Sequence, residues 1–180
     1  MKTEYALILG RFQPFHFGHQ HIVNEALLDG KKPIILIGST NEDRDLKNNP
    51  LSFEERKEII ETIYPNNEVI ILSLNDYLSW DDWFRVILTK INLITTSDNV
   101  TFYYFNKEVD RCDFIFNDKE YKNEFYTVLF EDLYNMKEID FYKQEGLKVD
   151  SNARDIRENI EKFKHFLDAR IYWKLKNKGW

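Results

Sequence analysis

The chain has 180 residues, a formal net charge of −6, fourteen Phe and ten Tyr. That length suits one domain with a sizeable core. The acidic balance argues against a general nucleic-acid binder, which needs clustered positive charge, but leaves room for a small phosphorylated ligand held by a few placed cations. Cys112 is the single cysteine and cannot form an internal disulfide. No window approaches about 18 apolar residues, so no membrane span is expected. The first apolar run is too short for a signal peptide, and the expected setting is cytoplasmic.

In chain order, "YALILG" (5–10) reads as a buried strand ending at Gly10. "GHQHIVNEALLDG" (18–30) reads as a helix with Ile22, Val23, Ala26 and Leu27 on its apolar face, ended by Gly30. "PIILIG" (33–38) is a second strand, and "STNEDRDLKNNP" (39–50) is a polar loop. The next helix begins at "LSFEER", with Ser52 as N-cap and Glu55 three residues on, and Pro65 stops it. "EVIILSL" (68–74) is a third strand, followed by a loop and a helix from about Asp81. "VTFYYF" (100–105) is a fourth strand and "FYTVLF" (125–130) a fifth. Residues 153–178 read as a helical tail with a break. Strands alternating with helices at this spacing predict an α/β fold: an open, mostly parallel sheet with helices on both faces. Residues 1–180 are expected to form a single domain, with 153–178 as its helical C-terminal segment.

"GRFQPFHFGHQH" (10–21) holds three of the four histidines between the first strand and the first helix. A metal site, a packed turn and a phosphate cradle all gather such residues. No acidic or Cys partner stands at a recognised spacing for zinc. The glycines fit neither the dinucleotide pattern nor the Walker loop. In an open parallel sheet, ligands sit at the carboxyl ends of the strands, and backbone N–H groups at a helix start hold phosphate. That placement favours phosphate. Gly10 allows a close backbone turn, Gly18 leaves room beside the helix start, and His16 and His19 are placed to donate to phosphate oxygens. His21 lies around the helix from His19 and is left out. Late in the chain, Asn152 and Asp155 have the spacing of an N-cap and its third helical residue. A helix starting at Ala153 would turn free N–H groups and Arg157 toward an anion.

"GRFQPFHFGH" resembles the HxGH nucleotidyltransferases, whose motif lies in the first strand-to-helix loop. "RDLKNNPLSFEER" (44–56), "LNDYLSWDDW" (74–83) and "NARDIREN" (152–159) continue the likeness in order along the chain. Together they resemble the nicotinamide mononucleotide adenylyltransferases of the archaeal type and their bacterial relatives. The resemblance implies a Rossmann-like fold and transfer of AMP from ATP to nicotinamide mononucleotide, giving NAD and pyrophosphate. It implies Mg2+ carried on the phosphates, with ATP and nicotinamide mononucleotide as substrates and no protein metal ligands. It assigns His16, His19 and Arg157 to the chemistry. It assigns Gly10, Arg11, Phe12, Gly18, Arg44, Lys47, Asn75, Asp76, Trp83, Asn106, Asn152 and Asp155 to nucleotide binding. Arg56 would brace its loop or touch ligand. Arg154 stands where the family usually has a small hydroxyl residue, and "YYFNKEVD" (103–110) diverges from the family's adenosine loop. Small-molecule nucleotides are the expected partners, with no nucleic acid, no membrane and a possible homo-oligomer. No pyrophosphate-hydrolysing Nudix domain is expected within these residues. Two other readings stay open: nucleotidyl transfer to a different phosphorylated acceptor, and a nucleotide-binding regulator with weak catalysis.

Overall fold

The computed structural model describes residues 2–41, 47–105, 135–139 and 153–180. Within them, five strands form one sheet: β1 (Tyr5–Gly10), β2 (Lys32–Ile37), β3 (Ile70–Ser73), β4 (Val100–Phe105) and β5 (Asn135–Ile139). Their order is β3-β2-β1-β4-β5, and each neighbouring pair is parallel. Helix α1 (Phe17–Leu28) joins β1 to β2, α2 (Phe53–Ile63) lies between β2 and β3, and α3 (Trp80–Asn92) lies between β3 and β4. The chain steps outward from β1 to β3, then returns to the other side of β1. The carboxyl ends of β1 and β4 therefore flank the switch in strand order, where such sheets bind ligands.

The two-residue period of the strands divides the core. Ala6, Ile8, Ile35 and Ile37 pack with Val23 and Ala26 of α1 and with Ile59 and Ile60 of α2. Leu7, Ile34, Leu36 and Phe102 pack with Phe84, Ile87 and Ile91 of α3. Right-handed crossovers in opposite directions put helices on opposite faces. This is why the strands read as nearly unbroken apolar runs rather than as alternation.

Sequence and structure agree closely at α2. The Ser52 hydroxyl accepts the Glu55 N–H at 3.2 Å, and the Glu55 carboxylate accepts the Ser52 N–H at 2.8 Å. The tail is helical with breaks: α4 (Ala153–Glu158), α5 (Ile160–Phe163), a 3-10 turn (Lys164–Phe166) and α6 (Ala169–Asn177). Side chains set these restarts, because Asn159 accepts from the Lys162 N–H and Asp168 from the Arg170 N–H. Helix α6 buries Ile171 and Leu175 in the first core. It also sets Lys174 and Lys178 against Glu58 and Glu55 of α2.

The expected strand at 125–130 lies outside the described residues. Strand β5, "NMKEI", was not anticipated because it is largely polar. It is the last strand of the described sheet, held by backbone pairing to β4, with Ile139 buried. Lys137 of β5 and the Tyr103 hydroxyl both donate to Asp29, just past the end of α1. Those bonds, Lys137 first, hold the Asp29 carboxyl below its ordinary value of 3.8.

Two outcomes are expected. Ser52→Ala should cost about 1 kcal/mol in urea unfolding, the usual loss for a deleted N-cap. A depressed folded pKa adds stability above the unfolded value and loses it as pH falls through the folded one. Asp29→Asn should therefore be less stable than wild type at neutral pH, with the gap in thermal midpoint closing as pH falls below 3.8.

Candidate active site

The loop after β1 turns at Phe12, not at Gly10. Phe12 has a positive φ of 54°, a conformation costly for a bulky residue. Gly10 serves a different purpose from the one its position suggests. A Cβ there would stand 2.8 Å from the Phe12 ring, so glycine is needed for that ring to lie over the end of β1. The Phe12 side chain is 2% exposed. Its ring meets Phe15 at 5.7 Å and the edge of His19 at 4.8 Å, and Phe15 stacks on His19 at 5.6 Å.

The spacing of the two histidines follows from helix capping. His16 is the N-cap of α1, with extended φ and ψ of −136° and 176°, and His19 is the third helical residue. The His16 N–H donates to Nδ1 of His19 at 3.3 Å. This is the reciprocal half of a capping box with imidazole in place of carboxylate. Accepting at Nδ1 places the neutral ring's proton on Nε2. The two rings stack at 3.8 Å, and His16 is buried. Gly18 is buried in the same first turn. The N–H groups of a helix N-terminus, a setting that suits anions, and two imidazoles thus share one helix start at the switch in strand order.

Gln13 carries no motif of its own in the sequence, yet it locks this loop. Its side chain is 2% exposed. Its amide donates to the Leu51 carbonyl at 2.8 Å and accepts the Leu51 N–H at 2.9 Å, as a strand neighbour would. It also donates to Asn49. A lone amide amid "RFQPF" was the available signal. Arg56 of α2 is 1% exposed and donates to the carbonyls of Arg11, Gly38 and Ser39 at 2.9, 2.7 and 3.4 Å, and to Ser52 at 3.1 Å. Burial first, then the Arg11 charge, lowers its pKa to about 10, against a small opposing pull from Asp76. It braces the loops after β1 and β2.

Arg157 crosses from α4 to the same region. It donates to the Gln13 carbonyl at 2.6 Å and to the Lys47 carbonyl at 2.8 Å. Lys47, Asn48, Arg154, Arg157 and Glu158 line a cavity of about 160 Å³. A larger one of about 450 Å³ involves Arg157, Lys176 and Trp180. Neither is lined by the two histidines, so the helix start, not a deep cavity, is the chemically distinctive feature. Asp155 lies in the first turn of α4, and Arg11 is exposed at the end of β1.

Asn75 and Asp76 lie in the loop after β3, the strand at one end of the sheet. The Thr40 hydroxyl donates to the Asn75 side chain at 2.7 Å. The Asn41 amide pairs with the Asp76 backbone, accepting at 2.7 Å and donating at 3.0 Å. These bonds join the loops after β2 and β3. Trp83 packs partly buried against the α3 core. Arg44, Asn106 and Asn152 lie outside the described residues. Among the described residues no group of three or more His, Cys, Asp or Glu could hold a metal ion, and no helix is long and apolar enough to cross a membrane.

A parallel sheet in this order, with an HxGH loop opening its first helix, defines a Rossmann-like nucleotidyltransferase. The chain belongs to the cytidylyltransferase-like family, which matches residues 7–140. It is similar to the nicotinamide/nicotinic acid mononucleotide adenylyltransferase of Acinetobacter baylyi, 27% identical over 98% of this chain and 94% of that protein. It is also similar to the nicotinamide-nucleotide adenylyltransferase of Thermoplasma acidophilum, 32% identical over 54% of this chain and 57% of that one. Among solved structures, a bifunctional NMN adenylyltransferase/ADP ribose pyrophosphatase from Francisella tularensis superposes with a TM-score of 0.65 at 26% identity, covering 93% of this chain and 44% of that one. The chain thus spans nearly all of the Acinetobacter relative but under two thirds of the other two.

Gly10→Ala should destabilise the fold by about 1–3 kcal/mol in urea unfolding, the usual cost of overpacking. The buried Phe12 ring has little room to retreat.

Proposed function

We propose that this chain transfers AMP from ATP to nicotinamide mononucleotide, as one nucleotidyltransferase domain of residues 1–180 with 153–178 as its helical end. The observation that carries this reading is the start of α1, where His16 orients His19 so that Nε2 bears the proton. Arg157 from the far end of the chain is anchored on the Gln13 carbonyl of the same loop. The family relationship supports nucleotide binding and transfer in general. The names of the relatives supply the acceptor.

In the proposed reaction, an ionised phosphate oxygen of the mononucleotide attacks the α-phosphorus of ATP. A phosphorus–oxygen bond forms there, the bond to the bridging oxygen breaks, and pyrophosphate leaves with that electron pair. The attacking oxygen is already ionised and needs no strong base. Catalysis is then alignment plus stabilisation of charge on the transferred group. His19 and His16 serve the α-phosphate, assisted by the N–H groups around Gly18. Arg157 serves the β- and γ-phosphates, with Arg11, Arg44, Lys47, Asn152 and Asp155 framing the nucleotide. Gly10 and Phe12 set the loop. Asn75, Asp76 and Trp83 are assigned to the nicotinamide end and Asn106 to the adenosine. His16, His19, Arg11 and Arg157 are cationic or neutral donors, which suit phosphate oxygens rather than a bare cation. Mg2+ would arrive on the ATP phosphates and neutralise part of their charge.

The decisive experiment is pyrophosphate release with ATP or CTP against a panel of nicotinamide mononucleotide, nicotinic acid mononucleotide, phosphopantetheine and sugar phosphates. Release with ATP and a pyridine mononucleotide is expected. Release only with CTP or with another acceptor overturns the reading, and nucleotide binding without release marks a regulator. His19→Ala should lower turnover at saturating substrates by roughly 10²-fold, the cost of one well-placed donor to developing charge, while ATP binding by calorimetry persists.

A further inference from the structure

Arg56 is an unusual charge. A guanidinium buried this deeply is ordinarily paired with a carboxylate, because charge removed from water is costly unless compensated. Each acceptor it has is instead a neutral main-chain carbonyl, those of Arg11, Gly38, Ser39 and Ser52. Among the described residues no carboxylate bonds to it. Two exposed charges act on it through space, Arg11 against it and Asp76 in its favour. Carbonyl dipoles solvate the charge without neutralising it. The fold therefore keeps a full positive charge directly beneath the loops that follow β1 and β2, at the carboxyl edge of the sheet. The positive end of α1 and the exposed Arg11 share that edge. A low-dielectric interior transmits such a charge farther than water does.

We propose that Arg56 is a positioning residue that also acts electrostatically. It holds the loops after β1 and β2 together, and its counter-charge is the polyphosphate of the bound nucleotide. The inference rests on the nucleotide-transfer reading. It goes beyond that reading by giving a residue that touches no substrate a share in nucleotide affinity.

Calorimetric binding of ATP and of adenosine separates charge from shape. In Arg56→Met, ATP affinity should fall by about tenfold or more while adenosine affinity changes by less than about threefold. Equal losses for the two ligands, or no loss, would reduce Arg56 to a brace and overturn the proposal. Arg56→Lys gives an independent measurement if the Met variant does not fold. A buried ammonium loses its proton far more readily than a guanidinium. The ratio of ATP to adenosine affinity in Arg56→Lys should therefore fall between about pH 7 and about pH 10, more steeply than in wild type. A ratio that follows the wild-type profile overturns the proposal. Absence of ATP binding by wild type would instead overturn the nucleotide-transfer reading.

Discussion

Parallel strands that end side by side leave their departing loops with carbonyls that must be satisfied out of water, and here one guanidinium meets that demand. Arg56 gathers the loops after β1 and β2 and the first turn of α2 onto a single planar group. A lysine has no such fork and could not span the same acceptors. The capping box at Ser52 and Glu55 fixes where α2 begins, and therefore where Arg56 stands. Local helix chemistry at one site thus sets the geometry of two loops distant in sequence.

The start of α1 depends on this clasp and on two further constraints. Gln13 copies a strand's hydrogen bonds to Leu51 and ties the first loop to the approach to α2. Gly10 admits the Phe12 ring, which with Phe15 packs around His19. Packing, stacking and the hydrogen bond from the His16 N–H to His19 Nδ1 hold the imidazoles, so little reorganisation is left for the moment a ligand arrives. The cations at this edge come from separate parts of an acidic chain. Arg11, Arg56 and Arg157 converge on one loop region while the net charge stays at −6. Local concentration of positive charge, not overall balance, suits the edge to a phosphorylated ligand.

Much of this was legible in the sequence. Apolar runs separated by capped helices specified the α/β class, because buried parallel strands need continuous Val, Ile and Leu. Ser52 and Glu55 marked α2 by direct hydrogen bonding within four residues. His16 and His19 stood out because the motif is compact and lies where a strand hands over to a helix. The polar β5 escaped notice, since a strand at the end of the described sheet is held by backbone pairing and shows little apolar pattern. A glycine at position 10 suggests the turn, whereas Phe12 takes the positive φ and Gly10 provides clearance.

By itself, the sequence determined strands β1 to β4 and the helices between them, the loop that carries the histidines and the kind of ligand such a loop suits, because these depend on residues within a few positions of one another. Only the tertiary structure decided the strand order, the burial of Arg56 without a carboxylate partner among the described residues, and the meeting of Arg157 with Gln13 across 144 residues. Those features arise when separate segments compete for the same space and the same hydrogen bonds, and no local pattern records which of them will meet.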